Sequence, residues 1–358
     1  MEAASVDAIP DGDVWQYEPK WDGFRCLAFR DGDEIALQSK SGQPLGRYFP
    51  ELVGRLRGLK ATRFVLDGEI VIAGDDGLSF DDLLQRIHPA ASRVNMLAKE
   101  TPSTLLVFDM LVDADGEPLT QLPLRERRRR LESFYKKFVP KAAGMRLSPA
   151  AQDRATVDGW FARVGGALDG VIAKRLDLPY QSGLRAGAQK VKKLRTADCV
   201  VGGFRYASGD GVSRASSDAA GGGSGRAAKP GGAKAVGSLL LGLFDAAGLL
   251  HHVGFTSGMK SAERVALLKK LLPLVKPPGF TGQAPGGPSR WSTERSAQWE
   301  PLEPKLVVEV SFDHVSGGRF RHGTRLLRWR PDKAPSACTI DQMETSGKAS
   351  LLDLTAAG

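Results

Sequence analysis

The stretch Tyr17-Glu18-Pro19-Lys20-Trp21-Asp22-Gly23-Phe24-Arg25 is the one around which the rest of this sequence can be interpreted. A lysine amine can attack the α-phosphate of a nucleoside triphosphate, but only as the free base. Nearby cations and partial desolvation lower the pKa of a lysine amine, and an arginine such as Arg25 suits both that task and phosphate binding. Gly23 allows the backbone to turn tightly beside a ligand. The stretch therefore predicts Lys20 as a nucleophile toward phosphorus, with an ordinary charged surface loop as the alternative.

Length and composition set limits on the fold and the partners. The chain has 358 residues, too many for one compact core, and 42% of them are hydrophobic, so two domains are expected. Lysine and arginine total 50 against 41 acidic residues, which gives a net charge of +9 and a pI near 9.5. This balance favours a polyanionic partner, most commonly nucleic acid, although solubility alone is the simpler alternative.

Cysteine usage and hydropathy indicate where the protein works. Cys26, Cys199 and Cys338 lie far apart and form no Cys-x-x-Cys pair, so neither a zinc site nor a disulfide framework is expected. No apolar run reaches the length of a membrane span, and the first residues contain no signal-like hydrophobic stretch. We therefore expect a cytoplasmic protein without a membrane partner.

The first half of the chain is predicted to mix strands and helices. Alternating apolar residues on both sides of Asp31-Gly32 predict a β-hairpin, with Lys20 on the loop that enters it and Lys40 on a basic turn that follows it. Helical spacing predicts a helix over residues 124–139. This helix contains Arg127-Arg128-Arg129-Arg130, a kind of run that usually forms a solvated face and can also lie against DNA phosphates.

Carboxylates interrupt the apolar strands of this half. Asp67 and Glu69 lie within the apolar run 63–72, and Asp169 begins another short strand. Burial of a carboxylate is costly unless it binds a metal, a sugar hydroxyl or a cation. The pattern therefore favours a functional role for the first two carboxylates, with an edge strand that turns at Asp67-Gly68 as the alternative.

Two cationic clusters are suited to phosphate groups. In a strand, Lys190 and Lys192 point to the same side, and two ammonium groups so placed repel each other unless an anion such as phosphate lies between them. Near the end of the chain, Arg330, Asp332 and Lys333 belong to a dense cationic patch that suits a polyphosphate.

The second half of the chain has a different character, so we predict one domain over 1–195 and a second over 196–358. Several short β-type runs and one helix over 262–272 predict a small closed barrel of the OB type. Residues 213–235 are rich in Gly, Ala and Ser, which predicts a disordered loop inserted between barrel strands. Residues 334–358 are expected to form a polar C-terminal tail.

Taken together, these stretches resemble the ATP-dependent DNA ligases of the covalent nucleotidyltransferase superfamily, and most of all the small bacterial ligase C type. The resemblance covers nearly the whole chain, with the six motifs of the family in order. They are Lys20-Trp21-Asp22-Gly23-Phe24-Arg25, Asp67-Gly68-Glu69, Leu106-Val107-Phe108-Asp109, Asp169-Gly170-Val171-Ile172-Ala173-Lys174, Lys190-Val191-Lys192 and Arg328-Trp329-Arg330-Pro331-Asp332-Lys333.

The resemblance implies an α+β nucleotidyltransferase (adenylation) domain followed by an OB-fold β-barrel, and a three-step reaction. Lys20 attacks ATP and retains AMP, AMP passes to the 5′-phosphate at a DNA nick, and the 3′-hydroxyl then displaces AMP to seal the strand. ATP and a divalent metal, Mg²⁺ or Mn²⁺, are the implied cofactors. The implied partners are nicked double-stranded DNA, a repair polymerase and end-joining proteins. We expect a monomer associated with the nucleoid.

The roles of the family's residues transfer by position. Glu18 is implied to recognise adenine, and Phe108 to stack on its ring. The implied catalytic residues are Lys20, Lys190, Lys192, Arg330, Asp332 and Lys333. The implied cofactor-binding residues are Glu18, Arg25, Lys40, Glu69, Phe108, Lys190 and Lys192. The implied metal ligands are Glu69 and Asp169.

Two positions depart from the family pattern, and other functions compete. Asp169 stands where glutamate is usual, which shortens the reach of the carboxylate by one methylene. Lys40 stands where arginine is common, and it lacks the bidentate fork of arginine. The alternatives are an RNA ligase, a capping-type nucleotidyltransferase and a non-catalytic OB-fold nucleic-acid binder. An NAD-dependent ligase is disfavoured because the cysteine zinc module is missing.

Overall fold

The computed structural model describes residues 1–74, 77–140, 144–162, 168–207, 235–286 and 298–344. These residues divide into two compact units, Met1–Lys193 and Leu194–Glu344. The expected disordered loop lies outside the described residues except for Ala235, and so do residues 345–358 of the expected tail.

The first unit contains ten strands and five α-helices within the residues described. The strands are β1 (Ala4–Ser5), β2 (Trp15–Trp21), β3 (Phe24–Asp31), β4 (Glu34–Ser39), β5 (Arg63–Gly74), β6 (Gly77–Leu78), β7 (Ser103–Val112), β8 (Met145–Leu147), β9 (Leu168–Arg175) and β10 (Ala188–Lys192). The helices are α1 (Pro50–Arg57), α2 (Phe80–Gln85), α3 (Ala91–Glu100), α4 (Leu124–Phe138) and α5 (Arg154–Ala162).

These strands form two sheets, and the first motif joins them. One sheet has the order β4-β3-β5-β7-β8 with β6 paired to β5, and the other has the order β1-β10-β9-β2. Strands β2 and β3 follow each other in the chain but belong to different sheets. Lys20 therefore lies in one sheet and Arg25 in the other, with only residues 22–23 between their strands.

The predicted hairpin at Asp31-Gly32 is confirmed by the pairing of β3 with β4, but the predicted position of Lys20 on a loop is wrong. Lys20 lies within β2 and pairs with Gly170 of β9, and the pairing continues to Trp21. Gly23 is needed for close packing, because a Cβ at this position would collide with the carbonyl oxygen of Ile70. Pairing with β9 within the same sheet holds the lysine in a strand, and no local sequence pattern encodes this long-range pairing.

The carboxylates of the second motif lie in the middle of a sheet. Strand β5 pairs with β3 on one side and with β7 on the other, so the alternative of an edge strand at Asp67 is wrong. On the far side of this sheet, α1 and α4 cover a core that includes Phe49, Leu66 and Phe134. Arg127 of α4 is fully buried rather than solvated, because it forms an ion pair with the buried Asp109.

The second unit contains eight strands and one α-helix within the residues described. The strands are β11 (Arg195–Tyr206), β12 (Val236–Phe244), β13 (Leu250–Thr256), β14 (Glu300–Pro301), β15 (Val307–Phe312), β16 (Val315–Ser316), β17 (Arg319–Phe320) and β18 (Arg325–Trp329). The helix is α6 (Ser261–Leu271), where the sequence predicts one. The main sheet has the order β13-β12-β11-β15-β18, with β14 paired to β11.

This sheet is not closed into the barrel that the sequence predicts. Among the described residues, β13 and β18 end the sheet without forming a ladder with each other. A single parallel bridge between Thr256 and Thr324 is what connects this pair of edges. The architecture is therefore OB-like with an open strand order.

Residues 334–344 are part of the second unit rather than of a polar tail. They form two short 3₁₀ turns, Pro335–Ala337 and Ile340–Met343. Cys338 and Met343 are buried in the hydrophobic core of this unit. The prediction of a tail fails here because two apolar side chains are enough to anchor a segment that otherwise looks polar.

The three cysteines are free and buried. Within the described ranges, no helix is both long enough and apolar enough to cross a membrane.

Candidate active site

A cavity of about 240 Å³ in the first unit is lined by residues from both sheets. The structure brings to it the predicted residues Glu18, Lys20, Arg25, Lys40, Glu69, Phe108 and Lys190. Four of them, Glu18, Lys20, Glu69 and Phe108, lie on the paired strands β2, β5 and β7. Asp67, Asp109, Lys174, Tyr180 and Arg185 also line the cavity.

Asp169 connects two of the predicted catalytic lysines. Its carboxylate is 5% exposed and forms ion pairs with Lys20 and, at 3.3 Å, with the Nζ atom of Lys192. Strand pairing explains this arrangement, because Lys20 on β2 and Lys192 on β10 both lie opposite Gly170 of β9. Gly170 has φ +147°, and a Cβ there would collide with the carbonyl oxygen of Val191, so only glycine fits beside the carboxylate.

Lys190 adds a third ammonium group to this region. Burial lowers the pKa of Lys190, and repulsion from Lys20 and Lys192 lowers it further. Three cations held close together favour an anion between them. In this structure the carboxylate of Asp169 contacts two of them, and the role of Lys190 and Lys192 at a phosphate group stays a prediction.

Glu18 and Phe108 line the cavity beside Lys174. The carboxylate of Glu18 accepts a hydrogen bond from Nζ of Lys174 at 2.7 Å and another from Nε2 of Gln16 at 2.8 Å. The same ammonium lies 4.2 Å from the centroid of the Phe108 ring, and the guanidinium of Arg25 lies 4.9 Å from it. The aromatic ring is therefore held by cation–π contacts.

The buried carboxylate of Asp67 is neutralised by Arg25. Two nitrogens of the guanidinium donate to its two oxygens at 2.5 Å each, and the hydroxyl of Tyr180 donates at 2.8 Å. Burial alone would raise the pKa of Asp67, but Arg25 and Tyr180 bring it below its ordinary value. Of the three roles that the sequence left open for this carboxylate, the structure shows binding of a cation.

Glu69 and Asp169 are the predicted metal ligands. Burial raises the pKa of Glu69 to about 7, although Arg25 and Lys20 act in the opposite direction. In the part of the chain that the structure describes, no group of three or more His, Cys, Asp or Glu side chains could hold a metal. Mg²⁺ commonly uses one or two carboxylates together with substrate phosphates and water, so these two residues fit such an ion.

Lys40 lines the cavity but is engaged with an acidic residue that the sequence did not single out. Its side chain is 64% exposed, and its Nζ atom lies 3.0 Å from Oε1 of Glu2. The other oxygen of Glu2 lies 3.2 Å from Nε of Arg185, which lines the same cavity.

The remaining predicted catalytic residues belong to the second unit. The guanidinium of Arg330 contacts Asp332 at 2.8 Å and Asp198 at 2.9 Å, and Lys333 lies 3.3 Å from Asp198. The hydrogen bonds from Arg330 lower the pKa of Asp332 to about 2. Glu309 lies 3.7 Å from Arg330. Three carboxylates thus hold Arg330 in this structure.

Several residues of the site escaped the sequence analysis. Lys174 lies in the fourth motif on β9, where the period of a strand places its side chain on the same face as that of Ile172. This periodicity could have identified Lys174 as a residue of the cavity. Tyr180 and Arg185 lie in the irregular segment between β9 and β10, where periodicity gives no signal. Asp198 comes close to Glu309 and Arg330 only through the pairing of β11 with β15, which the sequence does not reveal.

Comparisons with known proteins agree with these observations. Residues 3–192 match the family model "ATP dependent DNA ligase domain", and residues 232–333 match "ATP dependent DNA ligase C terminal region". DNA ligase C1 of Mycolicibacterium smegmatis is 42% identical over 365 residues, which cover 99% of this chain and 95% of the relative.

Two further relatives extend the comparison. The multifunctional non-homologous end joining DNA repair protein LigD of Mycobacterium tuberculosis is 28% identical over 330 residues, or 90% of this chain and 37% of LigD. A solved structure from a study of Lig E DNA ligases shares the fold, with a TM-score of 0.51 and 14% identity over 92% of this chain and 100% of that chain. Motifs, site geometry and family matches agree, and the chain belongs to the ATP-dependent DNA ligases.

Proposed function

We propose that the cavity of the first unit carries out the adenylation step of this ATP-dependent DNA ligase, with Lys20 as the nucleophile. The observation that carries the proposal is the position of Lys20. Its amine lines the cavity, is held by the buried carboxylate of Asp169, and lies close to the cations of Lys190 and Lys192.

The chemistry requires the amine of Lys20 to lose its proton, because an ammonium has no electron pair with which to attack phosphorus. Asp169 is the ion-pair partner of that ammonium and is the nearest acceptor for the proton. Nζ of Lys20 then forms a bond to the α-phosphorus of ATP, the bond from that phosphorus to the bridging oxygen breaks, and pyrophosphate leaves. The product is AMP linked to Lys20.

Charge on the α-phosphate must be stabilised while this bond forms. Lys190 and Lys192 supply two ammonium groups from β10, and such preorganised cations stabilise charge that develops in the transition state. Glu69 and Asp169 are the residues that would hold Mg²⁺ or Mn²⁺, which neutralises phosphate charge when bound.

We assign base recognition to the part of the cavity that Glu18 and Phe108 line. The buried carboxyl oxygens of Glu18 accept hydrogen bonds, which suits the exocyclic amino group of adenine. Lys174 keeps this carboxylate paired and also contacts the ring of Phe108, so that the acceptor and the stacking surface are held by the same cation. Arg25, which forms an ion pair with Asp67, also makes a cation–π contact with the ring of Phe108.

The later steps follow from the chemistry of a nick. An oxygen of the DNA 5′-phosphate displaces Lys20 from the AMP, and the 3′-hydroxyl then attacks that phosphate, so AMP leaves and a phosphodiester bond remains. Because LigD is named as an end-joining repair protein, we assign this enzyme to DNA repair at the nucleoid, with a repair polymerase and end-joining proteins as partners. We propose that it works as a monomer.

Labelling of the protein tests the proposal. Wild type incubated with α-phosphate-labelled ATP and Mg²⁺ should gain label that survives denaturing electrophoresis and is discharged by nicked DNA. Lys20→Ala should gain none, whereas the matched control Lys99→Ala, at an exposed lysine of α3, should behave as wild type. Label on Lys20→Ala would overturn the assignment, and discharge by RNA ends alone would replace DNA with RNA as the substrate.

A further inference from the structure

The first residues of the chain, Met1, Glu2 and Ala3, line the nucleotide cavity. Strand β1 runs parallel to β10, with Ser5 opposite Lys190. The backbone N–H of Glu2 donates to the carbonyl of Leu184 at 3.0 Å, and that of Val6 donates to the carbonyl of Lys190 at 3.1 Å. This pairing fixes the segment against the strand that supplies the phosphate-binding lysines, and it places Glu2 in the lining of the cavity.

The carboxylate of Glu2 forms ion pairs with two cations. Oε1 lies 3.0 Å from Nζ of Lys40, and Oε2 lies 3.2 Å from Nε of Arg185. The side chain of Glu2 is 26% exposed, whereas those of Lys40 and Arg185 are 64% and 66% exposed. The hydrogen bonds from the two cations lower the pKa of Glu2, so it is an anion at neutral pH. Phosphate oxygens bind arginine and lysine in the same way as carboxylate oxygens, so a phosphate group could replace the carboxylate of Glu2 at these two cations.

We propose that Glu2 is a specificity-determining residue of the nucleotide cavity: it holds Lys40 and Arg185 and must be displaced by the phosphates of the incoming nucleotide. This inference rests on the proposed function, because it takes the cavity as the site of ATP. One carboxylate carries one charge, whereas a triphosphate carries several, so a triphosphate displaces it and an uncharged ligand does not. Glu2 therefore weakens the binding of all phosphate ligands and leaves the binding of the nucleoside unchanged.

Equilibrium binding separates this role from a structural one. We would measure the affinities of full-length wild type, Glu2→Gln and the control Asp7→Asn for ATP without metal, for inorganic tripolyphosphate and for adenosine. Asp7 is exposed and only five positions away. A carboxy-terminal tag keeps the first residues as they are here. Glu2→Gln should bind ATP and tripolyphosphate about three- to tenfold more tightly, as expected for ion pairs of this exposure, and adenosine with unchanged affinity.

A double-mutant cycle assigns the effect to the two cations. In a Lys40→Gln, Arg185→Gln background, Glu2→Gln should no longer raise the affinity for tripolyphosphate. Unchanged or weaker ATP binding by Glu2→Gln, or a parallel change in adenosine binding, would overturn the proposal, because the residue would then only shape the segment. If wild type gained no label from α-phosphate-labelled ATP, the proposed adenylation site itself would be wrong. The two failures are therefore distinguishable.

Discussion

Asp169 and Lys20 form an ion pair in which the carboxylate is 5% exposed and Lys20 lines the cavity of the first unit. The same carboxylate contacts Lys192 at 3.3 Å, so one buried anion on β9 pairs with a cation on each of the two strands that flank β9. Removal of the charge at Asp169 would leave these ammonium groups to repel each other.

Asp169→Asn should therefore impair the formation of lysyl-AMP. We expect a loss of at least about 100-fold in the rate of the first step, the size typical of removing a proton acceptor or a charge stabiliser from an active site. Asp169→Glu, the residue usual in the family, should retain most of the activity. Labelling rates with α-labelled ATP check this, with the exposed Asp158→Asn as the control. A normal labelling rate for Asp169→Asn would exclude the carboxylate from the first step.

Lys174 should support base recognition through Glu18. Lys174→Met leaves the buried carboxylate of Glu18 without its cation, and about 1–3 kcal/mol of unpaired desolvation cost corresponds to roughly 5- to 150-fold weaker ATP binding. Lys174→Arg keeps the charge and should recover part of the affinity. Titration of ATP checks both variants, with the exposed Lys137→Met as the control. Equal loss in the methionine and arginine variants would show that shape rather than charge matters at this position.

The linear sequence predicted most of this cavity because each motif is short and its residues stay together in space. Lys190 and Lys192 are an example, since the period of a strand alone puts both on one side. The sequence could not predict that Lys20 lies in β2, because this depends on pairing with β9, about 150 residues later in the chain. Glu2 escaped for the same reason, since a carboxylate near the chain start has no local signal of its contact with Arg185.

The Arg127–Asp109 ion pair should stabilise the first unit. Both side chains are buried and joined by two hydrogen bonds, at 2.8 and 2.9 Å. Arg127→Leu leaves a buried carboxylate uncompensated, so we expect the free energy of unfolding to fall by about 3–5 kcal/mol. Denaturant unfolding checks this value. Arg129→Leu, which breaks an exposed pair with Glu126, should cost no more than about 1 kcal/mol.

A second variant keeps this test informative if Arg127→Leu does not fold. The double variant Asp109→Leu, Arg127→Leu replaces both charges by apolar groups and should be more stable than Arg127→Leu alone. If it were less stable, the hydrogen bonds from Arg127 to the carbonyls of Leu122 and Leu178 would be the main contribution of this residue.

His252 should make the second unit sensitive to acid. Burial, together with Arg319 and Arg205, lowers the pKa of this histidine to about 3, whereas in the unfolded chain it stays near 6.5. Between these values the unfolded state binds a proton that the folded state does not, so stability is full above pH 6.5 and falls as the pH decreases. From pH 7.5 to 5.5 this one group should cost about 1.4 kcal/mol of unfolding free energy.

The measurement compares wild type with His252→Gln. Glutamine does not titrate and keeps an acceptor for Arg319, which contacts Nδ1 of His252 at 2.6 Å. The unfolding free energy of this variant should decline by about 1.4 kcal/mol less than that of wild type between the two pH values. His322→Gln, at a histidine that is 56% exposed, serves as the control. The same decline in wild type and His252→Gln would show that other groups determine the acid response.

Arg330→Ala should slow the first step and spare the last. In this structure Arg330 is held by Asp198, Asp332 and Glu309. Because the cationic patch that contains Arg330 suits a polyphosphate, we expect this residue to contact the departing pyrophosphate. A residue with that role contributes only while pyrophosphate is present. Lysyl-AMP formation should therefore fall by about 10²- to 10³-fold, as for removal of one transition-state donor, while pre-adenylated nicked DNA should still be sealed at nearly the wild-type rate. Arg328→Ala, on β18 two positions before Arg330 and paired with Glu309, is the matched control. If Arg330→Ala lowered the rate of sealing pre-adenylated nicked DNA as much as the rate of labelling, Arg330 would instead contribute to DNA binding or to the fold of the second unit.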